Sequence, residues 1–434
     1  MSQPASLPGE WARLHPLSPI IRAGRATVGL GTVVIANGAV QHRPSWIDAV
    51  VIAAAAVAGV VYWRVTKWRV HGGELQIDTG LFRRQQVRVP LTRIQGIDLV
   101  RPLLARMLGV SELRLVLAGH DTDRARLAYL SEDHATAVRA QLLALAHGLA
   151  DDTPEPAERP ILAVRGGQIL VAHLLSFRFV FGLVLVGAAI AGVILLPPKA
   201  AGGLLTSMVA ITFGDLVVTW RAISSEWEFH IAEAPDGLRL RSGLLQTRAE
   251  TIPHGRVQAV RWVEPLWWRP FGWVRLEIDV ARRRNADRGE RESGGSSRAL
   301  LPVGSREEAR WLLSRVLPGA IAELPASEGV PTRAFWRAPL ARRFSRLHHD
   351  GAYIACCTGR FRPDTVIVPL EKVQSIRWSQ GAWSRKLRLA SVFIDTAGQR
   401  FTATGRRRDV AEAQQLMDTL PDLARAARQR ASAR

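Results

Sequence analysis

Cysteine is almost missing from this chain. Its 434 residues hold two, Cys356 and Cys357, side by side. Adjacent cysteines do not suit ordinary disulfide geometry, so no disulfide framework holds the fold, and a reducing compartment fits. The pair alternates within an apolar run and reads as packing. Also missing are a phosphate-binding Walker loop, a G-x-S-x-G nucleophile elbow, an H-E-x-x-H helix and any zinc-type spacing of Cys and His. His348-His349-Asp350 is a weak cluster, because neighbours on a strand point to opposite faces. The sequence therefore offers no catalytic centre, no metal site and no cofactor, and the expectation is a protein that is not an enzyme. Acidic residues are short as well: 38 Asp and Glu stand against 58 Lys and Arg, for a net charge of +20. Such a surplus draws anionic partners, whether lipid, acidic protein or nucleic acid. Tyrosine is scarce, with three against 14 Trp. Trp46, Trp63 and Trp220 sit at the ends of apolar runs, a position this ring prefers at a membrane interface.

What is present is a three-fold repeat. Gly80 precedes Pro90 by ten residues, Gly243 precedes Pro253 and Gly359 precedes Pro369 by the same interval, and each Pro lies five before Gln95, Gln258 or Gln374. The shared pattern is G-x9-P-x-x-[R/K]-[I/V]-Q. Arg106, Arg269 and Arg385 each follow the motif Gln by eleven residues. Three copies in register fix a repeat architecture. Alternating runs such as Leu113-Arg114-Leu115 predict half-buried antiparallel strands. Ser305 and Glu308 have capping-box spacing before a helix, and Pro421 is expected to break the last one.

Four apolar stretches fall in two pairs, with Arg and Lys on the outer flanks and only Arg43 and Lys199 in the links. Length and charge bias predict two transmembrane hairpins with cytoplasmic termini. The expected organisation is a segment 1–22, a hairpin 23–64, a first module 65–150, a linker 151–168, a second hairpin 169–221, a second module 222–318, a linker 319–339 and a third module 340–434 with a basic helical tail. The Arg-, Gly- and Ser-rich stretch 282–298 predicts a long loop inside the second module.

This combination of paired apolar helices and strand-rich units carrying G-x9-P-x-x-R-I-Q resembles the bacterial pleckstrin-homology-like membrane proteins of the YdbS/YdbT type, in the three-module YdbT arrangement. The resemblance implies an α+β fold: three pleckstrin-homology-like antiparallel β units, each with a C-terminal helix, plus two α-helical transmembrane hairpins. The third copy departs most, with Gly381 where Pro102 and Pro265 stand in the others. The resemblance also admits a smaller two-helix, single-domain membrane protein as a partner.

The motif glycines suit a positive φ at a turn, and the prolines a strand start or edge. The glutamines read either as buried amides bonded to loop backbone or as ligand contacts at a sheet mouth. Arg93, Arg256 and Lys372 precede them and are taken to face the other way, as lipid-headgroup contacts or as solvated charges. Arg106, Arg269 and Arg385 carry the same two readings. Trp267 and Trp268, with Trp262, Phe271 and Trp273, read as core or as an interfacial wedge. Arg178 and Asp215 are polar residues within apolar segments, where a mutual pair would be structural. The functional expectation is a non-enzymatic scaffold of the cell membrane, with four transmembrane helices, binding anionic lipids of the cytoplasmic leaflet, partner proteins or copies of itself. The alternative is a transporter, channel or export component. Nucleic-acid binding is disfavoured, because the charge is not gathered on one recognition helix.

Overall fold

The computed structural model describes residues 11–18, 53, 57, 59–61, 63–80, 84–117, 126–146, 158–195, 198–235, 237–253, 255–280, 299–320, 330–336, 344–398 and 400–433. The chain divides into two compact units: Met1–Ile161 with His230–Pro253, and Leu162–Phe229 with His254–Arg434.

In the first unit, β1 (Ala12–Arg13), β2 (Lys67–His71), β3 (Glu74–Thr79) and β4 (Gln85–Pro90) form one antiparallel sheet in sequence order. A single 3-10 turn, Leu91–Arg93, leads into β5 (Ile94–Arg101), α1 (Leu103–Met107), β6 (Val110–Leu117), β7 (Arg126–Ser131) and α2 (Glu132–Ala146). The strand alternation is real: Leu113 and Leu115 are buried, and Arg114 between them is not. Ala135, Val138 and Leu142 recur at helical spacing on α2 and join Trp68, Leu75, Ile77, Ile97, Leu113 and Leu115 in one apolar cluster. After β8 (Arg159–Val164) come β9 (Phe229–Ala234), β10 (Gly237–Ser242) and β11 (Thr247–Pro253). These do not form a sheet of their own. The order β7-β6-β5-β11-β10-β9-β8 makes one seven-stranded sheet from two successive repeats.

The second unit begins with α3 (Gly166–Leu174), α4 (Phe177–Leu195) and α5 (Pro198–Glu226). Further on lie β12 (Val257–Val263), β13 (Trp273–Val280), β14 (Ala299–Ser305) and α6 (Arg306–Val316), then β15 (Arg346–His349), β16 (Tyr353–Thr358) and β17 (Asp364–Pro369). The order β14-β13-β12-β17-β16-β15 again joins two repeats in one sheet. The chain closes with β18 (Val373–Ser379), α7 (Ala382–Lys386), β19 (Leu389–Thr396), β20 (Ala403–Asp409) and α8 (Val410–Ser432). Ser305 and Glu308 form the expected capping box on α6. The break expected at Pro421 does not occur. Leu416 and Leu420 before it and Ala424 and Ala427 after it pack as one buried stripe, so burial carries α8 through the proline.

Two expectations are corrected. The described chain is mostly antiparallel sheet, in four sheets, rather than an α+β fold with two transmembrane hairpins. The first expected hairpin, 23–64, lies largely outside the described residues, as does the stretch 282–298. In the second, 169–221, helices form, but among the described residues no single helix is long and apolar enough to cross a membrane. The apolar run is divided: Gly166–Leu174 and Phe177–Gly192 meet the requirement only together, and they bend by 50° at their break. The partner helix α5 carries Lys199, Asp215, Arg221 and Glu226 along its 29 residues, which lowers its hydropathy. The four-span cell-membrane localisation with cytoplasmic termini falls with these spans.

Candidate functional site

The two sheet junctions follow one rule. At the first, β5 and β11 are antiparallel, with Leu99 opposite Ala249, Val100 opposite Arg248 and Arg101 opposite Thr247. At the second, β12 and β17 place Val260 opposite Ile367, Arg261 opposite Val366, Trp262 opposite Thr365 and Val263 opposite Asp364. Counted from the motif, the residue n places after Gln always meets the residue n places before the next repeat's Pro. The register continues at the second junction, where the Glu264 N–H donates to the Pro363 carbonyl at 3.0 Å.

The repeated arginines serve the same junctions. Arg106, on α1, donates to the Leu244 carbonyl at 3.2 Å, and Arg269 donates to the Arg360 carbonyl at 2.7 Å. Each acceptor is the residue after the next repeat's motif glycine. Gly80, Gly243 and Gly359 all take positive φ. A Cβ at Gly243 or Gly359 would collide with the Gln246 or Arg362 carbonyl oxygen, so the turn requires glycine. Arg385, the third arginine, is exposed on α7, and among the described residues its guanidinium has no partner.

The other motif residues sit at strand ends and turns. Pro90, Pro253 and Pro369 end their strands rather than begin them. Arg93 and Lys372 are not on a strand face but on the single 3-10 turn before β5 or β18, and Arg256 precedes β12. Arg93 is exposed, while Lys372 lies 3.1 Å from Glu371. Each motif Gln coincides with a register shift: between Ile94 and Gly96, Val257 and Ala259, and Val373 and Ser375. A bulge inserts one residue and breaks simple alternation at the motif. Gln258 is buried and donates to the Arg256 carbonyl at 3.3 Å, whereas Gln374 is exposed.

A chain of charges runs through the second unit to its junction. His173 on α3 meets Glu226 on α5 at 3.1 Å, Glu226 accepts from Arg275 on β13, and Arg275 Nε donates to Glu277 at 2.8 Å. Glu277 lies 3.4 Å from Arg261 on β12, which holds both carboxylate oxygens of Asp364 on β17 through Nε at 2.8 Å. Burial opposes ionisation of Glu226, but Arg275 and His173 overcome it and hold the carboxyl well below the usual range. For Arg275 burial likewise opposes charge, and Glu226 with Glu277 outweighs it, raising its pKa. Sequence reasoning missed this network. Its one legible trace is at the junction positions: where the second has Arg261 and Asp364, the first has Asp98 and Arg248, with the signs exchanged.

Trp268 is buried and donates its indole N–H to the Ala172 carbonyl at 2.9 Å, and Trp262 donates to Glu264 at 2.8 Å. Trp267 and Phe271 are exposed, with Phe271 stacked on Trp273 at 5.0 Å. Arg178 on α4 donates to Asp215 on α5. Burial pushes the Cys356 thiol up to about 12, which silences it as a nucleophile. Among the described residues no cluster of three or more His, Cys, Asp or Glu has metal-binding geometry.

The family model described as bacterial PH domain matches residues 26–146, 179–319 and 310–424. No curated protein and no solved structure matches the chain.

Proposed function

Because the chain belongs to the bacterial PH domain family, we propose that it is a non-enzymatic scaffold whose modules, fused sheet to sheet, bind partners through exposed strand edges and basic surface. PH domains generally bind lipids or proteins. The observation that carries this reading is the use made of the repeated residues. Arg106 and Arg269 are spent on the backbone of the following repeat, and the motif glycines shape the turns that receive them. The most repeated feature of the sequence thus builds a platform rather than a pocket for chemistry. The silenced Cys356 and the mutually neutralised Glu226 and Arg275 support the same conclusion. The closer likeness to the YdbT arrangement, with its small single-domain partner, belongs to this reading. Anionic lipid headgroups remain within it as ligands of the exposed Arg93 rather than of the junction arginines. No observation favours a transporter.

The full chain carrying both Arg106→Ala and Arg269→Ala tests this. The expected result is a lower urea midpoint, each lost charged hydrogen bond at an exposed site costing about 1 kcal/mol or less. Salt-sensitive sedimentation with anionic vesicles should be unchanged relative to the parent. An unchanged midpoint with vesicle binding abolished would make these arginines headgroup ligands and contradict the scaffold reading.

A further inference from the structure

Among the described residues, two strands are left without the neighbour that their counterparts have. β4 is the counterpart of β11 and β17, yet it ends its sheet. β18 is the counterpart of β5 and β12, and it too ends its sheet. Among the described residues, no strand of another repeat lies beside either one. We infer that these edges pair between chains: β18 of one copy adds antiparallel to β4 of a second copy, in the register already used twice within the chain. This rests on the scaffold reading and names its partner.

The junction rule sets every contact. Ile376 comes opposite Arg88, Arg377 opposite Val87, Trp378 opposite Gln86 and Ser379 opposite Gln85. Both edges present exposed residues. Gln374, Ser375, Arg377, Trp378 and Ser379 are exposed on β18, as are Gln85, Gln86 and Arg88 on β4. A hollow of about 570 Å³ opens over β18 between Ile376, Trp378, Phe393 and Met417. Arg385 is the unspent member of the set whose other two, Arg106 and Arg269, close the internal junctions. A bare strand edge is a template for pairing, and neither edge carries an internal proline to block it. The contact joins unlike surfaces, so it is heterologous and propagates until a ring closes or a filament grows.

The test uses full-length chains carrying Cys357→Ser, with the buried, unreactive Cys356 retained. One chain bears Ser379→Cys, and a differently tagged chain bears Gln85→Cys or, as a control, Gln86→Cys. A disulfide needs Cα atoms about 4.4–6.8 Å apart with Cβ atoms facing, and a one-residue slip turns the side chain to the other face. The expected result is a mixed disulfide between positions 379 and 85 and little between 379 and 86. The unmodified chain should also gain mass with concentration, a gain that Trp378→Lys reduces. A single-chain mass at every concentration, or equal cross-linking at 85 and 86, would overturn the inference. So would a monomeric chain whose β18 edge is taken by a different protein. None of these outcomes alters the arginine test above, so the two readings fail separately.

Discussion

β12 and β18 hold the same place in successive repeats, yet one is enclosed and the other open. Trp262 and Trp378 are equivalent, four residues after the motif Gln, but Trp262 is 4% exposed and Trp378 43%. Arg261 and Arg377 are equivalent too. Arg261 reaches across the junction to Asp364, while Arg377 pairs with Asp395 on its own sheet, through Nε and, at 2.9 Å, Nη2. The residue types barely differ. What differs is the presence of β17. A repeat of this kind does not bury its own second sheet edge; the following repeat does.

Substitution at the paired positions sharpens this contrast. Trp262→Ala should cost about 3–5 kcal/mol in urea unfolding, as large-to-small changes at buried aromatics do. Trp378→Ala should leave the midpoint of the single chain in place. Equal losses at both positions would break the comparison.

Arg261→Ala comes next. It strips partners from Asp364 and Glu277, and for half-buried charged hydrogen bonds the expected loss is about 1–3 kcal/mol. Arg377→Ala at the equivalent exposed position should produce no measurable change in the same titration, because a solvated ion pair contributes little.

The last test is read in a slope against pH rather than in a single midpoint. Glu226 has a depressed pKa in the folded chain. Its contribution to stability is therefore complete above the unfolded carboxyl value of about 4.3 and is lost as pH falls below it. Unfolding midpoints followed from pH 6 downward should drop more steeply in the parent than in Glu226→Gln. Parallel curves would show that the charge chain behind β12 is not held as described.

Much of the fold was legible in the sequence because it is written in spacing. Alternation at Leu113–Leu115 gave the right strand, and Ser305 with Glu308 gave a real cap. The repeat arithmetic located Arg106 and Arg269, although not their acceptors. The sheet sharing was not legible, because pairing between repeats leaves no local pattern, only a relation between distant positions. The bulges at Gln95, Gln258 and Gln374 defeated strand alternation for the same reason that any inserted residue does. In the second expected hairpin, apolar composition does not show the 50° break near Ser176. Glu226 carries no signal in the sequence, and only its contact with Arg275 on β13 shows it as the centre of a buried network.

Amide hydrogen exchange of the full chain, measured from dilute to concentrated solution, tests the central claim most directly. The account predicts that β12 and β17 are protected throughout. β4 and β18 should exchange freely when dilute and gain protection together as concentration rises. Protection of β18 without β4, or free exchange of both at every concentration, would contradict it.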